Sequence, residues 1–168
     1  MNIFENENGV SLCQVDRDYA VTDEVLLILE EIFEQEACKG LFGASKMDRQ
    51  RIVDYLEWAK RKNTEGSNYL YFVQNNLGKI VGGMDIQKDN DREVSIGFWK
   101  DVNSDFSMTK LVQKLEEICR SLGCVKMNAY IEKTNTKAER LLDRTGFLEE
   151  GEVEGRTKQL VKYGKALS

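Results

Sequence analysis

The sequence predicts an α+β domain in which helices pack against a mixed sheet. Two observations predict it. The middle of the chain holds three strand-like runs in succession, separated by turn signals, which read as an antiparallel meander. After them, helix-period and strand-period segments alternate, as in a β-α-β unit. A length of 168 residues, 41% hydrophobic and 32% charged, suffices to bury a core without disulfides or metal. No repeat, low-complexity tract or linker divides the chain, so residues 1–168 read as one domain.

The elements follow in order. Residues 11–16 form a short opening strand. Thr22-Asp23 caps a helix that places Val25, Leu26, Leu29, Ile32 and Phe33 on one face. Gly40 and Gly43 bracket a loop. Asp48 begins a second helix, with Ile52, Val53, Leu56 and Ala59 at helical spacing. Residues 68–74 are aromatic and β-branched and read as a strand. Asn75-Asn76-Leu77-Gly78 turns the chain, and residues 79–87 return. Gly82-Gly83 inside that strand marks a bulge or a close backbone approach. After a turn at Asp89-Asn90-Asp91, residues 92–99 form the last strand of the meander. Met108, Leu111, Val112, Leu115, Ile118, Cys119 and Leu122 mark the best helix, with Gly123 at its C′ position. Residues 124–131 form a strand of little charge. Thr136-x-x-Glu139 has the form of a capping box, and Asn135 can cap the same end. Ala138, Leu141 and Leu142 form that helix's inner face, and Gly146 ends it. Strands from Phe147 and over 159–163 complete the order β-α-α-β-β-β-α-β-α-β-β.

Composition excludes several kinds of chemistry. There is no histidine, which removes Ser-His-Asp and Cys-His catalysis, His-ligated zinc and a histidine general base. Acid–base work falls to carboxylates, Tyr, Cys, Lys, water or a terminus. Lys and Arg number 24 against 29 Asp and Glu, a net charge of −5, which argues against nucleic-acid binding. Cys13, Cys38, Cys119 and Cys124 make no C-x-x-C pair and read as buried, reduced, small hydrophobes. The amino terminus lacks a charged-then-apolar signal pattern, and no apolar run is long enough to span a bilayer, so the expected location is cytoplasmic.

Five ordered features resemble one family. They are the strand Glu93-Val94-Ser95-Ile96-Gly97-Phe98-Trp99, the helix over 108–122, the strand over 124–131, Asn135 with Arg140, and Thr145-Gly146-Phe147-Leu148-Glu149-Glu150-Gly151. Together they resemble the GNAT acyltransferase superfamily, and most closely the branch that acetylates ribosomal-protein N-termini and related amines. The resemblance covers about residues 68–155; the two N-terminal helices fit by order. It implies a mixed, mostly antiparallel sheet with helices on both faces. It also implies acetyl-CoA as cosubstrate, with no metal. The strands near Phe98 and Tyr130 should diverge and leave backbone groups to which an extended pantetheine arm pairs like an added strand. Phe98, Trp99 and Lys100 would line one wall, and Tyr130 and Ile131 the other. The helix starting at Met108 would point its N-terminal amides at the pyrophosphate.

The sequence departs from the family pattern in two places. The pyrophosphate loop usually reads Arg/Gln-x-x-Gly-x-Gly/Ala; here residues 100–109 contain neither glycine nor arginine and carry Asp101 and Asp105. Lys100, Ser104, Phe106, Ser107, Met108 and Thr109 are the cofactor-binding candidates of this segment, joined by Asn135 and Arg140. Ser107 serves equally as a plain helix cap. The usual general acids are also missing, because Ala138 and Leu142 stand where the family carries Ser or Tyr. Tyr130 is the best substitute by acidity, with Thr134 and Thr136 near it. For the general base, Glu93 is the leading carboxylate, sharing a strand face with Ser95, and Asp85 is the alternative.

Two functions follow from these residues. One is N-acetyl transfer from acetyl-CoA to a primary amine by direct attack, the acceptor being a protein N-terminus, a lysine or a small amine. The other is a non-catalytic module of the same fold that binds an acyl-CoA or a protein partner. The partners expected are acetyl-CoA and an amine acceptor, with no nucleic acid and no membrane, for a monomer or homodimer.

Overall fold

The computed structural model describes residues 3–5, 9–38, 47–155 and 159–167. Their elements run β1 (Ile3–Glu5), β2 (Ser11–Gln14), α1 (Asp23–Phe33), a 3-10 turn (Glu36–Cys38), α2 (Arg49–Thr64), β3 (Asn68–Gln74) and β4 (Ile80–Lys88). They continue β5 (Glu93–Lys100), α3 (Met108–Ser121), β6 (Lys126–Glu132), α4 (Thr136–Arg144), β7 (Leu148–Glu154) and β8 (Gln159–Ala166). The strands join in the order β1-β2-β3-β4-β5-β6-β8-β7, a mixed and mostly antiparallel sheet. The expected α+β order is present, with β1 as an additional strand. A three-residue strand carries too little periodicity to be read from sequence. The loop expected at Gly40 and Gly43 lies outside the described residues.

The chain forms two compact units, and strands β4 and β5 each contribute to both. The first comprises residues 1–85 and 98–106. Its helices start where capping side chains satisfy first-turn amides: Thr22 accepts from Val25 N at 3.2 Å and Asp48 from Arg51 N at 2.9 Å. Leu26, Leu29, Ile32 and Phe33 of α1 and Ile52, Leu56 and Ala59 of α2 are buried with Leu70, Phe72, Ile80 and Trp99. Each such large side chain taken from water contributes about 1.5–3 kcal/mol. The Trp99 ring meets Phe33 edge-on at 5.0 Å between centroids and Phe72 at 6.2 Å. The Gly82-Gly83 pair is a close approach. A Cβ on Gly83 would lie 2.3 Å from Trp99 Cζ2, and one on Gly82 would lie 2.8 Å from the Phe106 ring.

The second unit comprises residues 86–97 and 107–168. Helix α3 buries Leu111, Val112, Leu115, Ile118 and Cys119, and Gly123 ends it at φ +80°. Its β5-α3-β6 crossover makes β5 and β6 parallel, whereas β6–β8 and β8–β7 are antiparallel. Glu116, buried on α3, is paired with Arg120 and with Lys165 Nζ at 2.7 Å. Lys165 also donates to the carbonyl of Thr145 at 2.7 Å, which ties β8 to the end of α4. At the start of α4 the cap is Asn135, whose Oδ1 accepts from Ala138 N at 3.1 Å. Among the described residues no helix is long and apolar enough to cross a membrane.

Candidate functional site

The parallel ladder between β5 and β6 is short. It pairs Glu93 with Lys126, Val94 with Met127, Ser95 with Asn128 and Ile96 with Ala129, and there it ends. Strand β5 nevertheless continues to Lys100 and β6 to Glu132. On its other edge β6 stays paired with β8 through Tyr130, Ile131 and Glu132. The pairing therefore stops just before Phe98 and Tyr130, where divergence was expected. Beyond Ala129 the β6 main chain makes no ladder pair with β5.

Alternation along β5 and β6 sorts their side chains. Val94, Ile96, Met127 and Ala129 are buried. The opposite parity carries Glu93, Ser95, Lys126, Asn128 and Tyr130, a polar floor. Ser95 Oγ lies 2.8 and 2.7 Å from the two carboxylate oxygens of Asp89, and donates to that carboxylate. Asn128 Nδ2 donates to the same carboxylate at 3.3 Å. Asn128 is 3% exposed, and its Oδ1 is buried without a hydrogen-bond partner. Glu93 accepts from Asn90 Nδ2 at 3.3 Å and lies 3.9 Å from Lys126 Nζ. The Asn90 bond, then Asn128 and the Lys126 charge hold its carboxyl below the ordinary value. Glu150, reached by Lys126 at 2.9 Å and Lys162 at 3.4 Å, is lowered in the same way, first by the Lys126 bond.

The predicted site residues fall in different places. Glu93 and Tyr130 share this face, but the register puts four residues between their levels, a rise of about 13 Å. They do not reach one reacting atom directly. Tyr130 is 42% exposed. Asn135 and Ser107 are helix caps, Ser107 Oγ accepting from Lys110 N at 3.2 Å. The amides of Met108 and Thr109 open α3, and the intrahelical ladder leaves such first-turn donors without partners. Arg140 is exposed on α4 and Phe98 half-buried on β5.

In the first unit, loop 101–106 is closed on itself. Val102 N donates to Gln35 Oε1 at 2.9 Å, Asn103 N to Asp101 Oδ1 at 3.0 Å and Ser104 N to Asp101 O at 3.0 Å. Ser104 Oγ donates to Asp101 O at 2.6 Å, and Gln35 Nε2 to Asp101 Oδ1 at 2.9 Å. Three loop amides and one candidate hydroxyl are thus already engaged. The rings of Trp99 and Phe106 are core residues, 8% and 5% exposed.

The four cysteines are buried, and burial raises every thiol, Cys119 to about 12. None is positioned as a thiolate nucleophile. The residues that sequence reading missed are Asp89, read only as a turn, and Asn128. The available signal was an asparagine between the apolar Met127 and Ala129 in a strand of little charge.

A helix-bridged parallel pair whose ladder ends after four residue pairs, in a mostly antiparallel sheet, agrees with the fold that the family resemblance implies. The sequence model of the acetyltransferase (GNAT) family matches residues 29–147, and the chain belongs to that family. No curated protein matches the sequence significantly. Among solved structures, the chain resembles the Salmonella typhimurium acetyl transferase that modifies the N-terminal serine of 50S ribosomal subunit protein L7/L12. The two are 13% identical over 99% of this chain and 100% of that one, with a TM-score of 0.80. It also resembles the microcin C7 self-immunity acetyltransferase, in complex with acetyl-CoA and AMP, at 19% identity over 95% and 93% and a TM-score of 0.78. A third is spermidine N-acetyltransferase from Vibrio cholerae, in complex with CoA and spermine, at 12% identity over 93% and 95% and a TM-score of 0.71. At these identities the likeness is one of fold.

Proposed function

We propose that this chain is a single acyltransferase domain that moves an acetyl group from acetyl-CoA to a primary amine by direct attack. The observation that carries the reading is the ladder end at Ile96 and Ala129, together with family membership. The residues fit the cosubstrate in part. The β6 edge beyond Ala129 suits an extended amide-bearing arm, and the α3 amides at Met108 and Thr109 suit an anion. Asn135 and Arg140, at and near the start of α4, are the further candidates in this unit. Loop 101–106 fits less well, because its Val102, Asn103 and Ser104 amides bond internally.

Acetyl-CoA supplies the activated acetyl group. The attacking nitrogen must be neutral, so Glu93 receives its proton through water, given the 13 Å rise that separates the Glu93 and Tyr130 levels. A C–N bond forms, the C–S bond breaks, and Tyr130 gives a proton to the departing sulfur. The acceptor is a protein N-terminus, a lysine or a small amine. The closed loop and the absent Ser or Tyr favour a second reading, a non-catalytic module that binds an acyl-CoA or a protein partner.

Calorimetry with acetyl-CoA, followed by thiol release with a panel of primary amines, decides between them. Binding with amine-dependent thiol release supports the enzyme; binding without release supports the module. In an active protein, Glu93→Gln keeps the shape and removes the basicity, and turnover should fall by roughly 10²–10⁴-fold. Unchanged turnover assigns the proton to Asp85 or bulk water.

A further inference from the structure

We propose that Asp89, Ser95 and Asn128 form an ammonium-binding subsite that selects an aliphatic acceptor carrying a second primary amine. The identity of the reacting amine rests on the acetyl-transfer reading; the binding itself does not.

Two observations converge on this floor. The first is the Asn128 side-chain amide. Its Nδ2 lies 3.3 Å from Asp89 Oδ2, and a carboxylate accepts only from the NH₂ end, so the orientation of the amide is fixed. Its Oδ1 is then a buried acceptor with no donor. A buried oxygen left unpaired lowers stability unless something binds it.

The second observation is charge. Glu93 and Glu150 have Lys126, and Glu150 also has Lys162, so the basic side chains of this face are engaged with them. Asp89 receives only the neutral donors Ser95 and Asn128, and it makes no ion pair among the described residues. The floor thus holds an uncompensated carboxylate beside an unmet carbonyl oxygen. Both are acceptors, and an ammonium, with three N–H donors and a positive charge, satisfies both. A neutral hydroxyl would leave the charge unmet. A hard divalent cation asks for six or more oxygens, more than this floor presents.

Asp89 is the accessible end of the site, and Asn128 its buried end. Asp89 is exposed at the start of the β4–β5 turn. Opposite Asn128 on β8 stands Gly164, over which the Glu150 carboxylate and the Lys126 stem lie, so an ammonium enters from the Asp89 side. Tyr130 is two residues beyond Asn128 on the same face, past the ladder end. That rise of about 7 Å suits an acceptor with roughly four or five methylenes between its nitrogens.

The test is a titration of ¹⁵N-labelled protein with 1,5-diaminopentane, pentylamine, 1-pentanol and a short lysine-terminated peptide. Diaminopentane and pentylamine should shift the Asn128 side-chain amide resonances, and pentanol should not. A response to the peptide as strong as that to diaminopentane identifies a lysine side chain as the source of the ammonium. Asp89→Asn should weaken diaminopentane binding by roughly tenfold or more, the effect of one charge-assisted contact. Glu24→Gln, on α1, should leave it unchanged, and added salt should weaken it. Ser95→Ala retains the carboxylate and should still bind within a few-fold. Equal binding by Asp89→Asn, an equal response to pentanol, or no response to any amine overturns the proposal. Thiol release from acetyl-CoA in the same samples separates the two readings. Diaminopentane binding that shifts Asn128 without thiol release keeps the subsite and removes acetyl transfer. Release that is equal for pentylamine and diaminopentane, in both wild type and Asp89→Asn, removes the subsite and keeps acetyl transfer.

Discussion

Lys100 Nζ donates to the carbonyl oxygen of Phe106 at 2.9 Å and lies 4.9 Å from the centroid of the Phe106 ring. One side chain thereby clamps both ends of loop 101–106. The same lysine is a candidate anion ligand by sequence, and its structural position gives it a different task. Lys100→Met keeps the aliphatic stem and removes the donor and the charge. It should lower unfolding free energy by about 1–2 kcal/mol, from a charge-assisted bond and a cation–π contact in a partly exposed setting. Urea denaturation measures this. Unchanged stability with weakened, less salt-dependent CoA binding would return Lys100 to the phosphate.

Asp105 is exposed and lines an open cavity of about 430 Å³ together with Asn75, Lys79 and Asn103. Its negative charge opposes an anion bound by the loop. Asp105→Asn should tighten CoA binding, and the gain should shrink as salt rises. Calorimetry of both proteins at low and high salt checks it. Tight wild-type binding that ignores the substitution would place the phosphates elsewhere.

Gly83 faces the indole of Trp99 so closely that a methyl group there would lie 2.3, 2.4 and 2.8 Å from Cζ2, Cε2 and Nε1. The ring is held by Phe33 and Phe72 and has little room to retreat. Gly83→Ala should therefore destabilise by about 1–3 kcal/mol through overpacking. Thermal or urea unfolding would show it as a lower midpoint. An unchanged midpoint would mean that Trp99 is loosely packed.

The Glu150 carboxyl is lowered chiefly by its bond from Lys126, with Lys162 adding to it. A folded-state value below the unfolded one stabilises above about pH 4.3, and this contribution is lost as pH falls through the folded value. Glu150→Gln should thus melt lower than wild type near neutral pH. The two curves should converge as pH falls toward 3. A constant difference in melting temperature across that range would show that the ion pair contributes nothing pH-dependent.

Much of this protein was determined by sequence alone, because local chemistry decides it. The 3.6-residue spacing of Leu111, Leu115, Ile118 and Cys119, and the turn at Asn75–Gly78, fix α3 and the β3–β4 hairpin wherever the rest of the chain lies. Asn75 Oδ1 accepts from the amides of Leu77 and Lys79 at 3.0 Å each, an arrangement contained within five consecutive residues. Helix starts at Thr22 and Asp48 are local for the same reason. The candidate site was legible only as a set of residue types on strand positions. Glu93 and Ser95 could be placed on one face by parity, but their partners could not.

Tertiary structure decided the rest. Asp89 meets Ser95 across a turn and Asn128 from β6, thirty-nine residues away in sequence. That meeting depends on the register between β5 and β6, which no local signal sets. Gln35 closes the loop at Asp101 and Val102 over a separation of sixty-six and sixty-seven residues. Trp99 and Phe106 look like ligand-facing aromatics in a family motif, yet apolar burial against Gly83 and Gly82 is what holds them. A residue type states what a side chain can do. Which polar group lies 3 Å from it, and so whether it binds a ligand or the protein's own backbone, is fixed only when distant strands come into register.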